Sequence, residues 1–491
     1  MPVIATPPSL PDPDVIEPLL IAGRPTAGEG TPLEVADPSD RSLIGRVGTV
    51  TPAQLTRLIG DASRARRDSG WADLPPHARA RILGKTADEI ENRADLLAEL
   101  QMRENGKTRA ESRAQALSAA GIFRYFAAVC ECSEDAMPPA RGAYFTMTVQ
   151  EPYGVVAALT PWNSPLTMGA QKIAPALAAG NAVVLKAAET TSLVSLALGQ
   201  CCVAAGLPDG LLSVIAGRSD IGAALTGDAG IDLISFTGGT ATGQHIARAA
   251  ADRLVPQILE LGGKSPHIVF GDGDLAAAAK SVAGGIFGGT GQSCVAGSRL
   301  FVQSGVRDEF LALLIAEAEK MTVGPPSRDT TVLGPLSSFA HRDRVEAWVQ
   351  RGLDEGGTVL LGGNRPEGSD FDAGAYYLPT IIGNIDNSAA IAQEEIFGPV
   401  LCLMPFDDEP DLIAQANDSV YGLAAGIWSG DYKRAWRVAR ALQAGTVWIN
   451  TYKQLSIAAP FGGYKLSGQG REKGLQGMRA YQQTKSIYWG L

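Results

Sequence analysis

The feature that most narrows the fold is an alternation of two periods between residues 153 and 254. Continuous apolar runs at 153–160, 182–186, 211–216 and 233–237 read as strands buried on both faces. Helical spacing fills 193–205 and 240–254. Strands separated by helices are too far apart in sequence to pair as tight hairpins, so they predict a parallel, doubly wound sheet. A second series follows, with strands at 267–270, 300–302, 359–361, 400–404, 426–429 and 447–450. Helical patterns at 308–321 and 433–441 lie among them. The chain of 491 residues therefore reads as two doubly wound α/β lobes, with a boundary within 254–260.

The flanks are of another kind. Residues 34–50 carry short apolar clusters broken by Pro and Gly, which suits a small hairpin. Thr51 before Pro52 suits the start of a helix. Residues 79–129 form a long helical region interrupted at Asn105-Gly106, and 144–149 reads as a strand. Ser486-Ile487-Tyr488-Trp489 is a strand candidate with an open edge, of the kind that pairs with another segment or subunit.

Composition removes whole classes of function. A net charge of -10 lacks the basic footprint of a nucleic-acid binder. No run approaches the ~20 apolar residues that span a bilayer. The Pro-rich start, residues 1–14, has neither a basic n-region nor an apolar h-region, so a mobile tail is expected, not a signal peptide. The six cysteines are sparse and form no disulfide framework, which points to a reducing compartment and a cytoplasmic protein. Cys130-x-Cys132 has no second pair and no spaced histidines, so no metal site is expected.

One cysteine stands apart, in Gly291-Gln292-Ser293-Cys294-Val295-Ala296-Gly297-Ser298-Arg299. A lone Cys is ordinarily a small buried hydrophobe. Here small neighbours let a carbon approach the sulfur, and glycines let N–H groups turn toward a developing charge. Gly238-Gly239-Thr240-Ala241-Thr242-Gly243 falls between a strand and a helix, where free N–H groups can hold a pyrophosphate. Its spacing is not the dinucleotide fingerprint, and by itself it leaves nucleotide binding and a plain tight turn both open. Gly262-Gly263-Lys264-Ser265 looks like the end of a phosphate-binding loop, but Ile258 replaces the first glycine and a strand follows, which excludes an NTPase.

Seven motifs occur in one order: Pro161-Trp162-Asn163, Lys186 with Glu189, Phe236-Thr237-Gly238-Gly239, Glu260-Leu261-Gly262-Gly263-Lys264, the Cys294 loop, Glu395-Ile396-Phe397-Gly398-Pro399, and Pro460-Phe461-Gly462-Gly463. The set resembles the NAD(P)-dependent aldehyde dehydrogenase superfamily over nearly the whole chain. The resemblance implies a Rossmann-like NAD-binding domain at 19–129 and 152–259 and a catalytic domain at 260–471. It implies an oligomerisation extension at 141–151 and 472–491, behind a tail at 1–18, in a homodimer or homotetramer. It implies Cys294 as nucleophile, Asn163 as oxyanion donor, Glu260 as general base and Lys172 as a supporting proton relay. NAD would be held by Trp162, Lys186, Glu189, Gly239, Glu395 and Phe397. Glu189 would accept from the adenosine ribose and repel a 2′-phosphate, which favours NAD over NADP. Gly239 stands where the family commonly has Ser, so only backbone is left to bond there.

The family layout also implies a tunnel for a small-molecule aldehyde, lined by Ser164, Gln171, Gly288, Leu455 and Phe461. Relatives for short aldehydes place aromatic rings at such positions, so a bulky aldehyde, aromatic, cyclic or functionalised, is expected. Tyr452, Lys453 and Gln454 add contacts for a polar or anionic group. Two alternatives share the fold: a CoA-acylating aldehyde dehydrogenase, whose members typically lack the base glutamate, and an inactive NAD-binding protein. A cysteine hydrolase would need a histidine partner, and none of the four histidines lies in a recognisable motif.

Overall fold

The computed structural model describes residues 10–491, so the first nine residues of the expected tail lie outside the described residues. The tail ends sooner than 18. Ile16–Glu17 pairs in parallel with Leu43–Thr49, because the expected hairpin of Gly30–Ala36 and Leu43–Thr49 leaves that edge open.

The first large sheet has eight strands. Five run parallel, in the order Gln257–Glu260, Leu233–Thr237, Val155–Leu159, Ala182–Lys186, Leu212–Ile215. Antiparallel strands close both ends, Leu19–Ile21 with Arg24–Thr26 on one side and Gly468–Gln469 on the other. Chain order reverses between Val155–Leu159 and Leu233–Thr237, which opens a crevice at their C-terminal ends. The second sheet has seven strands: Thr358–Leu361 antiparallel at the edge, then Thr380–Gly383, Val400–Phe406, Arg299–Gln303, Pro266–Val269, Ala424–Trp428 and Thr446–Ile449 in parallel. Thr380–Gly383 was not expected, since Pro379 and Gly383-Asn384 frame it with loop signals.

Helix ends differ from the pattern in one place. The long helical region is three helices, Pro76–Asn92, Ala94–Asn105 and Arg109–Cys132. Gly106, at φ 76°, supplies the left-handed cap behind the expected break, while the break at Arg93 has no Gly or Pro to announce it. Thr51 caps Pro52–Asp68 by accepting from the Gln54 N–H.

Gln482–Gly490 pairs along its whole length with Tyr144–Pro152 of the same chain. The rest of 472–491 does not belong to that arm. Met478 and Tyr481 are buried in the core of the first sheet, and the Tyr481 hydroxyl lies 2.9 Å from Ser235 Oγ. Apolar side chains at these two positions outweigh any tendency to project.

The helix end at Glu104 ties this framework to the crevice. The Glu104 carboxylate accepts from the N–H groups of Leu193 and Val194, both at 2.8 Å, in the first turn of Ser192–Ala204. Its neighbour Asn105 donates from Nδ2 to the carbonyl of Trp162 at 3.1 Å. Burial pushes the Glu104 pKa up to about 8, against the two N–H bonds that favour the ion. A carboxyl raised in the folded state is most stabilising below its unfolded value and loses that contribution as pH rises through the folded value. We expect the protein to lose stability through this group between about pH 4.3 and about pH 8. Glu104→Gln should flatten that loss in Tm measured across the window, and an unchanged slope would contradict the assignment.

Candidate active site

Strand ends supply the parts of the site. Val155–Leu159 runs out into Pro161-Trp162-Asn163-Ser164, and Ser164 precedes the helix Pro165–Ala178, with Pro in its first turn. Leu233–Thr237 ends at Gly238-Gly239, and Gln257–Glu260 ends on Glu260 itself. From the second sheet, the loop before Arg299–Gln303 brings Cys294 to face them. Asn163, Glu260 and Cys294 all line one cavity of about 540 Å³.

Glycines make this meeting possible. A Cβ on Gly263 would stand 2.5 Å from the Cys294 carbonyl oxygen, and one on Gly262 would stand 2.4 Å from Glu395 Oε2. Gly291, at φ 70°, would place a Cβ 2.1 Å from the Gly398 carbonyl. The loops therefore pack backbone against backbone.

Asn163 Nδ2 donates to the Gln292 carbonyl at 2.9 Å, which fixes its amide against the cysteine loop and leaves its second N–H for another acceptor. Burial first, then Glu395 and Glu260, push the Cys294 thiol up to about 12, while Lys473 and Lys453 pull it down. Glu260 is held well above the usual carboxylate range by burial and by Glu472, with Lys172, Arg471 and Lys473 opposing. Neither Glu260 oxygen has a hydrogen-bond partner among the described residues.

Lys172 does not line the cavity. Its ammonium is wholly buried and donates to Glu472 Oε1 at 2.8 Å and Ser235 Oγ at 3.1 Å. Gln171 Nε2 also donates to Glu472. Glu472 lines the cavity and was missed by the sequence reading, because 300 residues separate it from Lys172 and no motif joins them.

On one side the cavity is bordered by Trp162, Gly239, Glu395 and Phe397. The Glu395 carboxylate accepts from the Gly263 N–H at 3.1 Å, and burial pushes it up to about 7. Phe397 holds φ at 59°, a strained value for a residue with a side chain. Its ring lies 5.3 Å from Trp162, edge to face. Its carbonyl is 2.7 Å from His341 Nε2. Arg344 can only donate to His341 Nδ1, at 3.0 Å, so Nε2 carries the hydrogen and donates to Phe397. Burial pulls His341 down to about 4, leaving it neutral with no free nitrogen to take a proton from a thiol. His341 and Arg344 are further lining residues that no motif announced. Lys186 and Glu189 lie outside the cavity: the Lys186 ammonium donates to the Ala187 carbonyl at 3.2 Å, and Glu189 sits 3.7 Å from Arg218.

On the other side, Ser164, Gln171, Leu455 and Phe461 line the cavity, joined by Gln115, Met168, Ile457 and Lys473. Gly288 does not. It ends the helix Leu275–Phe287, and its Cβ direction points back at the Gly284 carbonyl, 2.8 Å away. Tyr452, Lys453 and Gln454 do not line it either, since the Tyr452 hydroxyl turns inward to donate to the Val295 carbonyl at 2.9 Å. Among the described residues no cluster of three or more His, Cys, Asp or Glu could hold a metal, and no helix is long and apolar enough to cross a membrane.

Two doubly wound sheets meeting at a thiol, a carboxamide and a buried carboxylate define the aldehyde dehydrogenase fold. The chain belongs to the aldehyde dehydrogenase family, whose pattern it matches over residues 25–487, and is an oxidoreductase by that membership. It is 40% identical over 464 residues to a betaine aldehyde dehydrogenase of Rhizobium leguminosarum bv. trifolii, covering 94% of this chain and 95% of that protein. A crystal structure of betaine aldehyde dehydrogenase from Staphylococcus aureus in complex with NAD+ superposes with a TM-score of 0.94 at 36% identity, over 97% of this chain and 95% of that one. An indole-3-acetaldehyde dehydrogenase of P. syringae, in complex with NAD+ and IAA, gives a TM-score of 0.95 at 34% identity over 97% and 98%.

The resting thiol yields a prediction. With Cys294 held up to about 12, its alkylation by iodoacetamide in the protein alone should keep rising beyond pH 8.5, where an ordinary cysteine begins to level off. The rate is read by mass spectrometry of the Cys294 peptide, and a plateau below about pH 8 would contradict the reading.

Proposed function

We propose that the protein oxidises an aldehyde to its carboxylic acid with NAD, through a thioester on Cys294. The observation that carries this is the presence of Cys294, Asn163 and Glu260 on one cavity. The Cys294 thiol loses its proton to solvent in the cavity, and the thiolate attacks the aldehyde carbon, which moves the charge to oxygen. The free N–H of Asn163 and the backbone N–H of Cys294 stabilise that oxyanion. NAD, when bound, supplies the acceptor for the hydride that leaves the same carbon. Glu260, in its ionised form, then takes a proton from water, whose oxygen attacks the acyl carbon and releases Cys294 as thiolate, so deacylation needs the pH at which this raised carboxyl ionises. Glu260 is not bonded directly to the Lys172–Glu472 pair, so the proton would reach that pair through an intervening water.

NAD fits the residues present. Nothing lies within 4 Å of a Cβ built on Gly239, so backbone there is open to a pyrophosphate, with Trp162 beside it. Glu395 would hold the nicotinamide ribose and Phe397 would pack against it. Lys186 and Glu189 would hold the adenosine ribose. Arg218 beside Glu189 softens the repulsion of a 2′-phosphate without removing it. The exposed arm, with Tyr488 67% and Trp489 63% exposed, is the surface on which a homodimer or homotetramer would build.

A bulky aldehyde is favoured because Ser164 and Leu455 line the cavity where rings would narrow it. The P. syringae relative, named for an indole-bearing aldehyde, supports that reading. The native enzyme should show higher kcat/KM for benzaldehyde than for acetaldehyde, and Ser164→Phe should penalise benzaldehyde selectively. A native preference for acetaldehyde would overturn the pocket argument.

NADH formation from an aldehyde panel, with and without CoA, tests the reaction. We expect turnover without CoA, none in Cys294→Ala, and in Glu260→Gln a burst of about one NADH per site followed by slow turnover. Turnover only with CoA would favour acyl transfer to a thiol, and no turnover with any aldehyde would favour an inactive NAD-binding protein.

A further inference from the structure

The substrate side of the cavity carries an ammonium that neither the motifs nor the reaction above account for. Lys473 lines the cavity, and its Nζ lies 5.1 Å from the centroid of the Phe461 ring, over its face. Its backbone sits at φ 60°, a conformation that a residue with a side chain keeps only when its surroundings hold it there. Lys453, on the neighbouring loop, also has positive φ, at 56°, and both ammonium groups act on the Cys294 sulfur.

The charges around them do not cancel. Glu472 is committed to Lys172 at 2.8 Å and to Gln171. Glu260 favours its neutral form through burial. Glu111, near Lys453 and Lys107, is already bound to Thr108 and to the Gly289 N–H. This leaves Lys473 on the substrate wall with no ion-pair partner within 4 Å among the described residues; burial lowers its pKa and the nearby Glu472, Cys294 and Glu260 oppose that, so an anion entering the cavity would favour its charged form.

The aromatic faces point the same way. A quaternary ammonium is recognised by a cage of free aromatic faces. On this wall the lining ring is Phe461, and its face is covered by Lys473. Trp162 and Phe397, the other lining aromatics, pack on each other beside His341. The position where betaine aldehyde would need aromatic faces is thus occupied by a like charge.

Building on the aldehyde oxidation proposed above, we propose that the substrate is an aldehyde carrying an anionic group, such as a carboxylate, which pairs with Lys473. The ammonium meets the anion in a partly dry cavity, where a charge-assisted hydrogen bond is strong. Ser164 and Gln115, joined at 3.2 Å, lie on the same wall and leave polar atoms for the body of such a substrate.

The test compares kcat/KM for 4-carboxybenzaldehyde, its neutral methyl ester and betaine aldehyde, in the native enzyme, Lys473→Met and Lys473→Arg. We expect the carboxylate to be favoured over the ester by about ten- to a hundredfold in the native enzyme. That ratio should collapse toward one in Lys473→Met, chiefly through KM, and persist in Lys473→Arg. Betaine aldehyde should be the poorest of the three. No native preference for the carboxylate, or a ratio that survives Lys473→Met, would overturn the proposal. An equal fall for acid and ester with an intact ratio would assign Lys473 to the thiol and also overturn it. If no aldehyde is oxidised at all, the oxidation reading itself fails, and this inference with it.

Discussion

Two carboxylates and one ammonium share a space from which bulk water is excluded, and the site is built around that fact. Glu260 and Glu472 are 4% and 1% exposed, and Lys172 is fully buried. Burial and the neighbouring Glu472 drive Glu260 toward its neutral form, while the Lys172 ammonium pairs with Glu472 at 2.8 Å. Removing one partner from a buried pair of this kind typically costs ~3–5 kcal/mol, because the other charge is left alone. The network therefore locks three distant segments together: the helix Pro165–Ala178, the strand Leu233–Thr237 through Ser235, and the turn before Gly474–Arg479. Tyr481 and Ser235 extend it into the first core, so the site and the core are one hydrogen-bonded unit.

Much of this was legible in the chain. The parallel sheets were readable because their strands are continuous apolar runs set between helices, and Asn163, Glu260 and Cys294 sat in motifs of fixed order. What escaped notice did so for identifiable reasons. Thr380–Gly383 is framed by Pro379 and Asn384, which read as loop signals. Glu472 and Lys473 are ordinary charges in a polar stretch, and only the return of Gly468–Gln469 to the edge of the first sheet carries them to the cavity. His341 lies at the start of Phe339–Asp354, where only its contact with Phe397 reveals a role. Gly288 was misplaced because spacing from Cys294 locates a residue along the chain but not the direction of its Cβ.

The same contrast separates scaffold from substrate. Gly262 and Gly263 fix how the loops of the two sheets approach, and Gly291 how its loop meets Gly398, since a Cβ on each would stand 2.4, 2.5 and 2.1 Å from a carboxylate or backbone atom. Such positions define the shared chemistry. The wall made by Ser164, Leu455, Phe461 and Lys473 touches none of those contacts and is free to differ from relatives named for betaine aldehyde.

The claim on which everything rests is that an acyl group passes through Cys294 and waits there for Glu260. Intact-mass and peptide mass spectrometry of Glu260→Gln, quenched after mixing with NAD and an aldehyde that the native enzyme oxidises, measures this directly. The account predicts one acyl adduct per chain, confined to the peptide that contains Cys294 and removed by hydroxylamine. An enzyme that turns over without such an adduct, or carries it on another residue, would contradict the account.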